Sequence, residues 1–206
     1  MKDVLLSTTY FGPVQWYQKL HRAEHVQIEQ WENFQKQTYR NRCLIATTQG
    51  VQALTVPVVR GETSLIKDLR ISDHGNWRHL HWNALQSAYG ESPFFEYYQD
   101  DIRPFFTERW ERLLDFNEAI RAKICELIDI QPQVSYSKEF TVYSLQFTVN
   151  QVPDFREAIR PKHPAPDPDF EPKPYYQVYQ QKHGFLSNLS ILDLLFNMGP
   201  EGVFWL

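Results

Sequence analysis

The stretch that most constrains this chain lies near its start, where three periodicities follow one another. Val4 to Thr8 is a short apolar run of strand type, Gly12-Pro13 interrupts it, and Val14, Tyr17, Leu20 and Ala23 then recur on one helical face. From His25 to Trp31 the pattern alternates, with Val26 and Ile28 on one side. A strand, a helix of about ten residues and a second strand make a βαβ unit, whose crossover is right-handed in nearly all known cases and whose strands run parallel. Ligands of open α/β sheets collect outside the C-terminal ends of such strands. The loops in that position are Thr9 to Pro13 and Glu32 to Arg42.

Downstream, Cys43 to Thr48, a Thr48-Gln49-Gly50 turn and Val51 to Val59 predict an antiparallel hairpin, with Pro57 confining the second strand to an edge or a bulge. Trp77, His81, Leu85 and Tyr89 predict a helix that Gly90 stops, and another helical segment follows around Phe94 to Asp101. The longest helix is expected from Thr107, as N-cap, to Ile128, with Asn117 inside its apolar stripe. Phe140 to Val149 reads as a strand and Asp154 to Ile159 as a helical turn. Pro161 to Pro174 holds six of the thirteen prolines and reads as a semi-rigid extended connector. It leads into the apolar helix Leu189 to Phe196 and a Gly199-Pro200 stop.

The expected fold is α/β. A core over residues 1–160 has the N-terminal βαβ unit in a mixed sheet with flanking helices, followed by the proline-rich connector (161–174) and a C-terminal helical segment (175–206). That last segment is too small to fold alone, so it docks on the core of a single domain or exchanges with a second subunit in a homodimer.

A chain of 206 residues supports one substantial core. Its net charge of −4 gives no electrostatic reason to bind nucleic acid or an anionic membrane. No segment approaches the roughly 18 apolar residues of a membrane span, and Met1 to Leu6 is too short and too acidic for a signal peptide, so a cytoplasmic protein is expected. Cys43 and Cys125 sit among apolar neighbours, where inert buried thiols are the common case. The pairs His21/His25 and His79/His81 lack the partners of a zinc site, so no metal is expected, and no motif calls for a cofactor.

Two groups of residues have the chemistry of a small-molecule site. His81, on the helical face of Trp77 and Tyr89, is a candidate general base, against the plainer reading of a half-buried, satisfied histidine. The loop Phe34 to Arg42 carries Lys36, Arg40 and Arg42, no acid, and Tyr39. Arginine suits bidentate anion contact and tyrosine suits ring stacking, so the loop is a candidate contact for a phosphate, carboxylate or nucleotide-sugar, or else an ordinary solvated loop. Tyr175, Tyr176, Tyr179 and His183 form a stripe read as helical packing or as a substrate platform. Phosphate-binding glycine loops and nucleophile elbows are missing from the sequence.

Tyr10-Phe11-Gly12-Pro13 with Trp16-Tyr17, Arg40-Asn41-Arg42, Leu54-Thr55-Val56-Pro57-Val58, Trp77 to His81, and Ala88-Tyr89 followed by Pro93-Phe94-Phe95 together resemble the WbqC-like protein family over about residues 4 to 130. Gly184-Phe185-Leu186 and Ser190 to Asn197 resemble its Bacteroidetes branch. The family is essentially uncharacterised. The resemblance implies a link to O-antigen gene clusters and an acyl or aminoacyl (glycine) transfer to an amino sugar. It places His81 as base, Asn41 and Arg42 as oxyanion or phosphate contacts, and Tyr10, Trp77 and Tyr89 around the substrate. The chain departs from the family where a paired acid is expected after the second strand, having Gln30-Trp31 between Glu29 and Glu32, and it has Thr8-Thr9 where the family has Gln-Pro. The alternatives are a non-catalytic binder of a nucleotide-sugar or carboxylate, and an assembly protein using its C-terminal helix.

Overall fold

A computed structural model describes residues 3–59, 64–140 and 152–206. The strand expected from Phe140 to Val149 lies, beyond Phe140 itself, outside the described residues. The βαβ unit forms as its periodicities predict: β1 (Asp3–Ser7), α1 (Val14–Arg22) and β2 (His25–Glu29), with the strands parallel in the register Asp3↔His25 to Ser7↔Glu29. Val4, Leu6, Val26 and Ile28 are wholly buried. A third strand extends the sheet beyond β2, and residues 153–155 extend it beyond β1: Leu5 N–H donates to Pro153 O at 2.9 Å and Phe155 N–H to Leu5 O at 3.0 Å. The crossover helix α1 puts Trp16, Tyr17 and Leu20 in the core, and Trp16 Nε1 donates to Ser7 O at 2.9 Å.

The hairpin is β3 (Arg42–Thr47) and β4 (Gly50–Thr55), antiparallel around Thr48-Gln49. Its second strand is shorter than expected, because Pro57 cannot donate to a ladder and the chain turns there to a new partner. β5 (Val58–Val59) pairs antiparallel with β6 (Arg70–Ile71). The helices α2 (Trp77–Tyr89), α3 (Phe95–Ile102) and α4 (Pro104–Thr107) follow, then α5 (Leu113–Leu127) and β7 (Val134–Tyr136), the strand parallel to β2.

The long helix does not begin at Thr107, which ends α4. Residues 108–112 are drawn against β6, with Ile71 N–H donating to Glu111 O and Leu113 N–H to Leu69 O, both at 2.9 Å. Those backbone pairings outweigh the helical periodicity of the intervening side chains, and Asn117 becomes fully buried, donating to Arg40 O at 2.8 Å.

The proline-rich segment runs without helix or sheet and is fastened to α1. Asp167 accepts from the Nζ of fully buried Lys19 and from Gln15 Nε2, both at 2.8 Å. Tyr175 to Tyr179 is not the helical stripe that its spacing suggests. Helix forms over α6 (Gln180–His183), preceded by an extended run, and returns in α7 (Ile191–Met198), capped by Ser190 Oγ accepting from Leu192 N–H. Leu189, Ile191, Leu192, Leu194, Leu195 and Phe196 are each at most 2% exposed. At about 1.5–3 kcal/mol per buried side chain, this docking is a major part of the core.

Within the docked segment, Asp193 is fully buried. Its Oδ1 accepts from Tyr89 OH at 2.9 Å, and its Oδ2 from Tyr175 OH at 2.7 Å and Gln177 Nε2 at 2.8 Å. Tyr89 OH in turn accepts from Ala46 N–H, and Gln177 Oε1 from Leu186 N–H.

Candidate functional site

The C-terminal ends of the parallel strands meet in a cluster of charge that is largely withdrawn from solvent. Glu29, the last residue of β2, is fully buried, and its Oε1 accepts from Trp31 N–H and Ser137 Oγ, both at 2.7 Å. Ser137, just past β7, also receives the Gln30 side chain (2.6 Å) and the Trp31 indole (3.0 Å) on its carbonyl, which fixes the direction of the chain leaving β2. Glu32 is forked by Arg40, Nε at 2.8 Å and Nη2 at 2.5 Å, in a bidentate ion pair with both partners buried.

Arg156 reaches this pair from the opposite end of the sequence. Its Nη1 lies 3.9 Å from both Glu29 Oε2 and Glu32 Oε2, and its Nη2 lies 2.6 Å from Asp154 Oδ2. Burial works against the charge on Arg156, but the surrounding carboxylates of Asp154, Glu32 and Glu29 outweigh it and raise the guanidinium pKa. On the flank, Glu118 accepts from Arg121 Nε at 2.7 Å and Tyr136 OH at 3.0 Å.

Arg40 and Arg156 line a narrow cleft together with Ser7, Thr9, Tyr39 and Phe155, enclosing about 10 Å³, on the order of one water molecule. Ser7 Oγ and Thr9 Oγ1, at the end of β1, are buried there without a hydrogen-bond partner among the described residues. A buried hydroxyl without a partner costs about 1–3 kcal/mol, and two of them share this cleft with two arginines. Gly12 permits the arrangement, since a Cβ there would stand 2.3 Å from Thr9 Oγ1.

Of the residues singled out in the sequence, the structure brings Tyr39 and Arg40 to this cleft. Burial pushes the Tyr39 phenol up to about 12, so it serves as a neutral hydrogen-bonding group. His81 lies elsewhere, in an aromatic cage with Tyr10 and Trp77. Its Nδ1 is 2.9 Å from Tyr10 OH, and the Trp77 ring centroid is 5.2 Å away. Burial lowers its imidazole to about 4 against a raising hydrogen bond with the Thr55 backbone, so His81 is neutral at pH 7 with both ring nitrogens engaged. Tyr10 is fully buried, and Trp77 donates to Ser72 O. Tyr89 belongs to the Asp193 network. Asn41 donates to Val56 O at 2.7 Å, Arg42 turns onto the hairpin to reach Thr55 Oγ1 at 3.0 Å, and Lys36 is exposed.

Sequence reasoning missed Ser7, Thr9, Asp154, Arg156 and Ser137, and it took Glu29 and Glu32 as a departure from an acid pair. The three-residue separation still brings both carboxylates within reach of one guanidinium, because Gln30 and Trp31 turn out to bond Ser137. Both cysteine thiols are buried and pushed up, Cys125 to about 11, which leaves neither as a thiolate at neutral pH. Among the described residues no group of three or more His, Cys, Asp or Glu is placed to hold a metal ion, and no helix is long and apolar enough to cross a membrane.

The model of a family described as the WbqC-like protein family matches residues 8–156, from the end of β1 to Arg156. An uncharacterized protein of Mycobacterium tuberculosis, Rv1507c, is 26% identical over 187 residues, an alignment covering 82% of this chain and 81% of that protein. No solved structure matches the chain significantly.

Proposed function

The chain belongs to the WbqC-like protein family, and from that premise and the strand-end cleft we propose that it is a small-molecule enzyme transferring an acyl or aminoacyl group to an amino sugar in surface-polysaccharide biosynthesis. The observation that carries the reading is the pair of unpartnered hydroxyls, Ser7 and Thr9, in a cleft shared with two arginines and backed by two carboxylates at the end of a parallel sheet. In such a transfer the sugar amine attacks the acyl carbonyl carbon. The new C–N bond forms as the bond from that carbon to the donor's leaving group breaks, and the proton lost by nitrogen passes through a base to the leaving group.

Glu29 supplies the carboxylate for that proton in this reading, while Arg156 and the two hydroxyls donate to the developing oxyanion. Arg40 remains committed to Glu32 and holds the acid pair in place. Admission of a substrate requires residues 153–156, which two backbone bonds tie to β1, to swing aside and return with Arg156 against the substrate. Glu32 being fully forked by Arg40 also supports a second reading, a non-catalytic binder of a nucleotide-sugar or carboxylate.

A thermal-shift screen of the purified protein against amino sugars, nucleotide-sugars, sugar phosphates and amino acids tests the site, followed by mass spectrometry for an amide product from the ligands that bind. The expected result is a stabilising amino sugar and a product that Glu29→Gln abolishes. Binding with no product from any acyl or aminoacyl donor leaves the second reading, and no stabilising ligand overturns both.

A further inference from the structure

A second cleft, of about 380 Å³, opens near the start of α2 and is lined by Arg78, Arg103, Arg109, Asp73, Trp82 and Phe106 among others. Its volume falls within the roughly 300–1,000 Å³ of small-molecule sites. Three guanidinium groups stand against one carboxylate, in a chain whose net charge is −4. That local excess contrasts with the strand-end cluster, where Arg40 and Arg156 face three carboxylates.

Arg78 is held rigidly. Its Nη1 lies 2.6 Å from Asp73 Oδ1, its Nε donates to Glu108 O at 3.2 Å, and its guanidinium carbon stands 4.6 Å from the Trp77 ring centroid. Nη2 of the same group is buried without a hydrogen-bond partner. A guanidinium fixed in this way is a preorganised positive charge in the wall of the cleft. Arg109 reaches Asp73 only at 3.7 Å with its side chain 83% exposed, and Arg103 has no ion-pair partner among the described residues. Beside the charges, the half-buried Trp82 ring lies 5.7 Å from Phe106 at 38°. An aromatic wall next to a cluster of arginines suits a ligand that joins phosphate to a flat ring.

We infer that this cleft is a second binding site, taking a nucleoside diphosphate with its phosphates on Arg78, Arg103 and Arg109 and its base against Trp82. The site goes beyond the transfer chemistry at the strand ends and uses none of its residues. Because that chemistry is probed at Ser7, Thr9 and Glu29, either reading can fail while the other stands.

Isothermal titration of the whole chain with uridine diphosphate, adenosine diphosphate, pyrophosphate and uridine tests it, alongside an Arg103→Ala/Arg109→Ala variant. Both of those side chains are exposed, so the fold is expected to persist, and a melting curve checks this. The expected result is that at least one nucleoside diphosphate binds, pyrophosphate binds more weakly, uridine alone does not bind, and the double variant weakens diphosphate binding by about tenfold or more. No binding of either nucleoside diphosphate at millimolar concentration overturns the inference, as does binding that the double variant leaves unchanged. Equal binding of pyrophosphate and the nucleoside diphosphates overturns the assignment of the base to Trp82.

Discussion

Two buried polar clusters in this molecule are built on opposite terms. Around Asp193 the donors are used up: both tyrosine hydroxyls and the Gln177 amide converge on one carboxylate, and Tyr89 OH and Gln177 Oε1 are satisfied in turn by backbone N–H groups. At the strand ends both arginines are paired with carboxylates, yet Ser7 Oγ and Thr9 Oγ1 are left over. A closed network fixes architecture, here the docking of the C-terminal segment on the core, while buried groups left without partners carry a cost that a ligand can relieve. Burial and charge alone do not tell the two clusters apart, whereas the partnering of their hydroxyls does.

The largest expected effect comes from breaking the closed network. Asp193→Ala strands three donors that converge on one acceptor, and we expect urea unfolding to show a loss of about 3–5 kcal/mol. A loss below about 1 kcal/mol would mean that the Asp193 network does not hold the C-terminal segment in place.

A smaller effect reads the aromatic cage, which resembles the Asp193 network in being satisfied. Burial depresses His81 to about 4 from an ordinary 6.5. The unfolded chain therefore binds a proton in that window that the folded chain refuses. The contribution to stability is fully present above pH 6.5 and is lost as pH falls through 4, by roughly 3 kcal/mol. Comparison of wild type with His81→Phe across that range is expected to show this slope in the wild type alone. An identical slope in both would assign the acid sensitivity to other groups.

The smallest expected change in stability is at the open cluster. Thr9→Val keeps the shape beside Gly12 and removes an unsatisfied hydroxyl, so the unliganded protein is expected to gain about 1 kcal/mol, the lower end of that group's cost.

Much of the fold was legible in the sequence, because the βαβ unit is written in short-range periodicities. The changes of pattern at Gly12-Pro13 and at His25 mark elements whose partners are each other. Failures came where long-range bonds outranked local pattern: the backbone of residues 108–112 bonds β6 instead of starting a helix, and at Tyr175 to Tyr179 side-chain bonds from Tyr175 and Gln177 to Asp193 take the place of a helical stripe. The site was legible in part. The loop carrying Arg40, Arg42 and Tyr39 lies where parallel-strand ends predict, but the turn before β3 buries Arg40 against Glu32, while Arg42, the first residue of β3, lies along the hairpin on Thr55. Arg156 and Asp154 arrive from more than a hundred residues away, and no local spacing records that they meet Glu29 and Glu32. His81 had the right residue type on the right helical face, but that face packs into the cage.

The most direct test of the claim that the strand-end cleft is a ligand site is a thermal shift of wild type and Thr9→Val with the best ligand found in the screen. The expected result is a ligand-dependent rise in melting temperature for the wild type and its loss in a variant that is at least as stable as the parent without ligand. An undiminished rise in Thr9→Val would contradict it.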